Sequence, residues 1–286
     1  MFGRMKPGRA SQTAVYVCAA RALAHGTTPV ARFSDPTALA LLPEEARARV
    51  ERIQAAGPPK TFRQKLARGP LDTRSKMMVV RTVTIDDAVR AASAPQVVIL
   101  GAGLDGRAWR MEELREATVF EVDHPDSQRE KRARIGRLER VAREVRFVPV
   151  DFARDSLDAA LAASGHDPAR PTTWIWEGVV MYLDQSAIEA TLAVVQKRSA
   201  PGSWLIVVYH SPARILKLVS LVLRIVGEPL RSVFSAEQMR DLLSRFGFDV
   251  SADGDLPSLG SALSADLPHA TRYLKHMRIV TARRRA

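Results

Sequence analysis

The stretch that decides the fold runs Gln96-Val-Val-Ile-Leu-Gly101-Ala-Gly103-Leu-Asp105-Gly106-Arg107. Five residues suited to a buried strand are followed at once by a turn rich in glycine, and the next nine residues have a helical pattern. Glycine lets the backbone reverse tightly and approach a ligand closely. Such a turn is typical of nucleotide sites, but an ordinary strand-to-helix turn can have the same sequence.

Downstream of this stretch, short apolar runs rich in β-branched residues alternate with helical stretches. The further runs are residues 118–122, 145–150, 173–176 and 203–209, and the helical stretches are 107–115, 125–141, 156–164 and 185–198. This alternation predicts a parallel sheet with helices on both faces, which right-handed crossovers make doubly wound. Two last strands, 247–252 and 277–281, follow a helix over 235–246 and flank a loop over 254–268. We therefore predict an α/β fold with a doubly wound, seven-stranded, mostly parallel sheet.

The first 94 residues have a helical pattern. Helices are predicted over 11–24, 43–56 and 73–92, and Gly57-Pro58-Pro59 breaks the pattern after the second. We predict an N-terminal helical lid over residues 1–94 and a second unit over 95–286. Within that unit, an apolar helix that follows the fifth strand predicts a lid insertion near residues 211–230.

Composition excludes several classes of protein. The 286 residues are 46% hydrophobic and 26% charged, which excludes disordered, collagen-like and coiled-coil chains. One cysteine excludes a disulfide framework and a cysteine-based zinc finger, and the histidines lack metal-ligand spacing, so no metal is expected. No apolar run reaches the roughly 18 residues that a membrane span needs. We therefore expect a soluble, cytoplasmic protein.

The formal charge of +12 admits nucleic acid, anionic membrane and acidic small molecules as partners. The basic residues interleave with acidic ones along the helical stretches, which is typical of solvated helix faces. Aromatic residues make up only 6% of the chain, and no base-stacking motif is present. We therefore expect a small-molecule acceptor, acidic or aromatic, and no nucleic acid.

Acidic residues follow three of the predicted strands. Asp123 comes 22 positions after Gly101 and suits a ribose diol, although NAD and S-adenosylmethionine both present one. Asp151-Phe152 follows the third strand and Glu177 follows the fourth. That order is typical of a class I S-adenosylmethionine-dependent methyltransferase of Rossmann-like fold, and carboxylates suit a cofactor with sulfonium and ammonium charges. A nicotinamide-dependent reductase and a nucleic-acid methyltransferase remain alternatives.

Five motifs together resemble the leucine carboxyl methyltransferase family, which includes bacterial members that act on small molecules. They are Arg32-Phe-Ser-Asp35-Pro36, Val80-Arg81-Thr82 with Ile85-Asp86-Asp87, Gly101-AGLDGRAWR, Phe120-EVDHP and Trp176-EGVVMYL. The resemblance covers roughly residues 11–283. It implies dependence on S-adenosyl-L-methionine and a helical lid over the carboxyl edge of the sheet.

The resemblance also implies roles for single residues along the cofactor, from its methionine end to its adenine. Gly101 and Gly103 would line the methionine side, Arg81 and Tyr182 would contact the carboxylate, Glu177 would lie close to the cofactor, Asp123 would hold the ribose, and Asp151 and Phe152 would flank the adenine. One departure is Val83, where relatives often have a second arginine.

Methyl transfer is an in-line displacement that depends mainly on positioning. A carboxylate acceptor is already ionised at neutral pH, whereas a phenol or an alcohol needs a base within hydrogen-bond reach. His210, directly after the fifth strand, is the candidate base and Tyr209 is the second; a histidine that only contacts the lid is the alternative for His210. The sequence thus predicts an O-methyltransferase acting on a carboxylate or hydroxyl of a small molecule.

Overall fold

A computed structural model describes residues 12–136, 138–152, 154–213 and 230–285 of the chain. Seven strands form one sheet within these residues. In chain order they are β1 Gln96–Leu100, β2 Thr118–Asp123, β3 Glu144–Pro149, β4 Thr172–Trp176, β5 Trp204–His210, β6 Phe248–Asp255 and β7 Met277–Arg284.

The sheet has the strand order β3-β2-β1-β4-β5-β7-β6. Strands β1 to β5 are parallel, and β7 runs antiparallel to both β5 and β6. The chain starts at the centre with β1, moves outward to β3 and returns to the other side of β1 with β4. This reversal leaves a crevice at the carboxyl ends of β1 and β4, where such sheets bind ligands. The predicted fold class is confirmed.

Helices cover both faces of the sheet. They are α1 Gln12–Ala24, α2 Ala38–Leu41, α3 Glu44–Ala55, α4 Phe62–Ala92, α5 Pro125–Ile135, α6 Leu157–Ala163, α7 Gln185–Lys197, α8 Ala236–Arg245, α9 Leu256–Ser261 and α10 Leu267–Thr271. Apolar residues of α4, α9 and α10 share one core cluster with the first face of the sheet. Residues of α6, α7 and α8 share a second cluster with the opposite face.

A third apolar cluster joins the N-terminal helices to the glycine turn. It contains Cys18 and Leu23 of α1, Leu41 of α2 and Val50 of α3, together with Leu104 from the turn after β1. The first three helices therefore lie over the carboxyl edge of β1. The division at residue 94 stays a prediction, and most of the predicted lid insertion near 211–230 falls outside the described residues.

Three predicted elements differ from the structure. Helix α4 begins at Phe62 rather than at residue 73, because Thr61 and Gln64 form a capping box and Pro70 is accommodated inside the helix. The predicted helix over 107–115 is instead two short 3₁₀ helices, Arg107–Trp109 and Glu112–Leu114. The predicted loop over 254–268 contains α9 and the start of α10, each with proline in its first turn, a position that helices tolerate.

No helix within the described residues combines the length and the apolar character needed to cross a membrane.

Helix α8 has a capping box that can be tested. The Ser235 hydroxyl accepts from the Gln238 N–H at 3.1 Å, and the buried side chains of Met239, Leu242 and Leu243 attach the helix to the core. We expect Ser235→Ala to lower the free energy of unfolding by about 1 kcal/mol in urea titration. Ser235→Asp keeps a capping oxygen and should stay close to the wild type; equal losses in both variants would contradict the capping role.

Candidate active site

The turn after β1 brings two glycines to the carboxyl edge of the sheet. Gly101 and Gly103 have φ angles of 71° and 48°, a left-handed region in which other residues are strained. A Cβ atom on Gly101 would also collide with the side chain of Val179, which follows β4. The N–H groups of Gly101 and Ala102 both donate to the Val122 carbonyl, at 2.8 and 3.0 Å, so the turn is fixed against the end of β2.

Asp123, the last residue of β2, contacts this turn directly. Its carboxylate accepts from the Gly103 N–H at 2.5 Å and from the His124 N–H at 2.6 Å. Burial raises the pKa of Asp123 above its ordinary value, although the two N–H donors oppose this. The structure therefore brings together the glycine turn and the acid predicted to hold a ribose.

The residues that follow β3 lie at the same edge. The Val150 N–H donates to the Asp123 carbonyl at 2.9 Å, which places Asp151 beside the end of β2. The Asp151 N–H donates to the Asp155 carboxylate at 2.8 Å, and Phe152 packs partly buried against the second core cluster. Asp123 and Asp151 thus lie on one side of the molecule, as a shared adenosyl group requires.

Glu177, directly after β4, is paired with two arginines. Its carboxylate lies 2.6 Å from Arg81 Nε on α4 and 2.9 Å from a terminal nitrogen of Arg107 in the glycine turn. Burial opposes ionisation of Glu177, but the two guanidinium groups outweigh it and hold its pKa below the ordinary value. The segment after β4 is therefore connected electrostatically to both α4 and the turn.

These three residues belong to a larger buried network of charges. Arg107 also pairs with Asp105 and with Asp86, at 2.7 Å in the second case, and Arg110 pairs with Asp86 at 2.7 Å. At the far end, Asp35 lies 2.8 Å from Arg21 and 3.8 Å from Arg110.

In total the network holds four arginines and four acids, so its formal charges cancel. Its side chains are at most 12% exposed. Most of these residues belong to the family-like motifs, but the sequence predicts a role only for Arg81 and Glu177. The sequence does indicate buried ion pairs at α4, because Arg81 and Asp86 interrupt a run of β-branched residues. Charged residues are rarely buried without partners.

The two candidate bases lie on opposite faces of β5, because successive side chains of a strand alternate. The Tyr209 hydroxyl donates to Asp253 at 2.7 Å and accepts from Arg278 at 3.0 Å, beneath the β6–β7 hairpin. Burial and Asp253 raise the pKa of Tyr209 above its ordinary value. Tyr209 is therefore a structural residue of the second core cluster, and its prediction as a base does not agree with the structure.

His210 lies on the face of the sheet that is covered by α4, the helix that contains Arg81. The residue is 7% exposed, its ring lies 5.2 Å from the ring of His276, and neither ring nitrogen has a hydrogen-bond partner among the residues described. Burial, together with His276 and Arg81, lowers the pKa of His210 to about 4. The ring is therefore neutral at pH 7. Tyr182, in a 3₁₀ turn five residues after Glu177, is half-buried, and its predicted contact stays a prediction.

The chain is similar in sequence to a known protein family. A sequence profile described as leucine carboxyl methyltransferase matches residues 14–196. A relative from Streptomyces avermitilis, provisionally described as an S-adenosyl-L-methionine-dependent methyltransferase, is 39% identical over 70% of this chain and 69% of its own length. A relative from Frankia alni with the same provisional description is 38% identical over the same shares of the two chains.

Two solved structures share the fold. One is a provisionally assigned methyltransferase from Thermobifida fusca, with a TM-score of 0.59 and 16% identity over 98% of this chain and 97% of that one. The other is a DUF574 family protein from Streptomyces avermitilis, with a TM-score of 0.59 and 16% identity over 97% and 99% of the two chains. At this identity, the likeness shows the fold alone.

The neighbouring residues Asp86 and Asp87 give a matched test of the buried network. Asp86→Ala removes one of the three acids that pair with Arg107 and the acid that pairs with Arg110 at 2.7 Å, so we expect the free energy of unfolding to fall by about 3–5 kcal/mol. Asp87 pairs with Arg32 and Arg90 near the surface, and Asp87→Ala should cost less than about 1 kcal/mol. Urea unfolding of both variants checks this, and similar losses would count against the network.

Proposed function

Because this chain belongs to the leucine carboxyl methyltransferase family, we propose that it transfers the methyl group of S-adenosylmethionine to an oxygen atom of a small molecule. The family makes the chain an S-adenosylmethionine-dependent methyltransferase. The oxygen acceptor, its small size and the roles of single residues are the proposed part.

The observation that carries the proposal is the meeting of Arg81 and Glu177 beside the glycine turn, at the same edge as Asp123 and Asp151. S-adenosylmethionine presents a carboxylate, an ammonium group, a ribose diol and an adenine. Arg81 suits the carboxylate, Glu177 the ammonium, Asp123 the diol, and Asp151 with Phe152 the adenine. The donor set therefore fits the cofactor group by group.

The electrostatics of Arg81 support this fit. Burial lowers the pKa of Arg81, and Arg21 and Arg107 lower it further, while Glu177 opposes them. Glu177 is the acid that pairs with Arg81, at 2.6 Å. A ligand carboxylate would give Arg81 a second negative partner, and the carboxylate of Glu177 would then be available to an ammonium group. We infer that an amino-acid zwitterion binds here by taking one charge from each member of the pair.

The chain's own contribution to the reaction is positioning. When bound, S-adenosylmethionine supplies a methyl carbon that its sulfonium makes electrophilic. Gly101 and Gly103 let the backbone approach the ligand, and Tyr182 is placed on the segment after β4 that also carries Glu177. Holding two reactants in line in a site that excludes water supplies most of the rate enhancement in such transfers.

His210 is the residue we assign to the acceptor. Its neutral imidazole can accept a hydrogen bond from a hydroxyl or donate one to a carboxylate. Burial, His276 and Arg81 disfavour the protonated ring, so His210 is a weak base. These features support an oxygen acceptor, and they favour one that is already ionised.

Isothermal titration calorimetry tests the cofactor assignment. S-adenosylhomocysteine should bind with a Kd in the micromolar range or lower, and NADPH should not bind. Asp123→Ala should weaken the binding at least about tenfold, because a buried charged acceptor is lost, while circular dichroism stays unchanged. Asp249→Ala, on exposed β6, is the control that should bind normally. Binding of NADPH but not of the thioether would overturn the assignment.

A panel of carboxylic acids and phenols, with release of S-adenosylhomocysteine as the readout, tests His210. If a hydroxyl is the acceptor, His210→Gln should lower kcat by about a hundredfold, the usual loss of a general base. If a carboxylate is the acceptor, no proton is removed and the change in kcat should be small. Loss of S-adenosylhomocysteine binding in His210→Gln would instead place His210 at the cofactor.

A further inference from the structure

Lys131 of α5 lies beneath the glycine turn with its side chain only 1% exposed. Its ammonium group donates to the Asp105 carbonyl at 2.6 Å and to both carboxylate oxygens of Glu121 at 2.7 Å. The same group lies 4.8 Å from the centre of the Trp109 ring. Burying an ammonium and a carboxylate costs several kcal/mol for each ion, so this arrangement calls for a physical reason.

The Lys131–Glu121 pair lies between β2 and the turn after β1, the two segments that we propose hold the cofactor. This position suggests a reason for burying the pair. Glu121 precedes Asp123 by two residues on β2, so the two side chains share one face of the strand. Asp105 belongs to the turn that carries Gly101 and Gly103. The ammonium of Lys131 therefore connects the end of β2 to the turn after β1.

Asp105, whose carbonyl accepts from Lys131, also belongs to the buried ion network through its side chain. The Asp105 side chain pairs with Arg107, and Arg107 pairs with Glu177. Asp105 thus lies between the segment proposed to hold the ribose and the pair proposed to hold the amino-acid end. A shift of Asp105 would move both parts of the site.

The other contact between the turn and the end of β2 involves the proposed ribose acid itself. The carboxylate of Asp123 accepts from the Gly103 N–H, so a ribose diol on Asp123 would compete with or distort that bond. The bond from Lys131 to the Asp105 carbonyl does not involve an atom proposed to bind the ligand. It can hold the turn in place while Asp123 changes partners.

We propose that Lys131 is a positioning residue, which fixes the glycine turn through the Asp105 carbonyl and uses Glu121 as its counter-charge. This inference rests on the proposed function, since the turn and Asp123 are assigned there to the cofactor. Lys131 acts through the backbone of the turn and does not touch the ligand. Stability alone does not explain the pair, because apolar residues of similar volume are often equally or more stabilising at buried sites.

The test separates positioning from stability with two variants. Lys131→Met removes the contact with the turn and leaves Glu121 buried without its cation, so both stability and affinity for S-adenosylhomocysteine should fall. Lys131→Met combined with Glu121→Gln removes both charges and should recover much of the lost stability. The double variant still lacks the bond to Asp105, so its Kd should remain at least about tenfold above that of the wild type. The KM for S-adenosylmethionine should rise likewise, with kcat nearly unchanged.

Gln96→Ala is the matched control. The Gln96 side chain is buried at the opposite edge of the sheet, where its amide donates to Asp167 and Thr172 and accepts from the Asp167 N–H. This variant should lose stability and keep its affinity for S-adenosylhomocysteine.

Each outcome decides the proposal. Wild-type affinity in the double variant, or an equal loss of affinity in Gln96→Ala, would overturn it. A double variant that does not fold would also overturn it, because the pair would then be needed for folding itself. A wild-type protein that does not bind S-adenosylhomocysteine would instead refute the proposed function, which keeps the two failures distinguishable.

Discussion

The rest of the structure depends on the neutrality of the charges buried at the carboxyl edge of the sheet. Four arginines and four acids lie there nearly out of contact with water, and every one of them is within ion-pair distance of an opposite charge. Buried charges are tolerated only when they are paired, so each element must present its charge at the right place. The network thereby specifies how helices α1 and α4, the glycine turn and the segment after β4 meet.

Within the network, the ion pairs of Arg107 differ from that of Arg81 in the number of acids involved. Arg107 contacts three acids at once and holds Asp86, Asp105 and Glu177 in a fixed arrangement. Arg81 pairs with Glu177 at the other end of the network. A zwitterion can therefore insert its own charges at this end while the remainder of the network stays paired.

The strands and their terminal acids could be predicted from the sequence, because a buried parallel strand needs a continuous apolar run and the acids follow those runs directly. The start of α4 could not, since Gly69-Pro70 resembles a break and only the fold shows that the helix continues through it. The ion network joins residues as far apart as Arg21 and Glu177, and no local pattern records such pairing. The positions of Tyr209 and His210 on opposite faces of β5 follow from the sequence, because adjacent residues of a strand face opposite sides.

The span of the network along the chain has a consequence for synthesis on the ribosome. Arg21, Asp35, Arg81 and Asp86 are made early, and Glu177, the last member, emerges roughly a hundred residues after Arg81, several seconds later at ordinary elongation rates. Until then Arg81 of α4 cannot form its ion pair with Glu177. The crevice therefore reaches its final form only after the nascent polypeptide has passed the fourth strand, and the helices made first must wait for it.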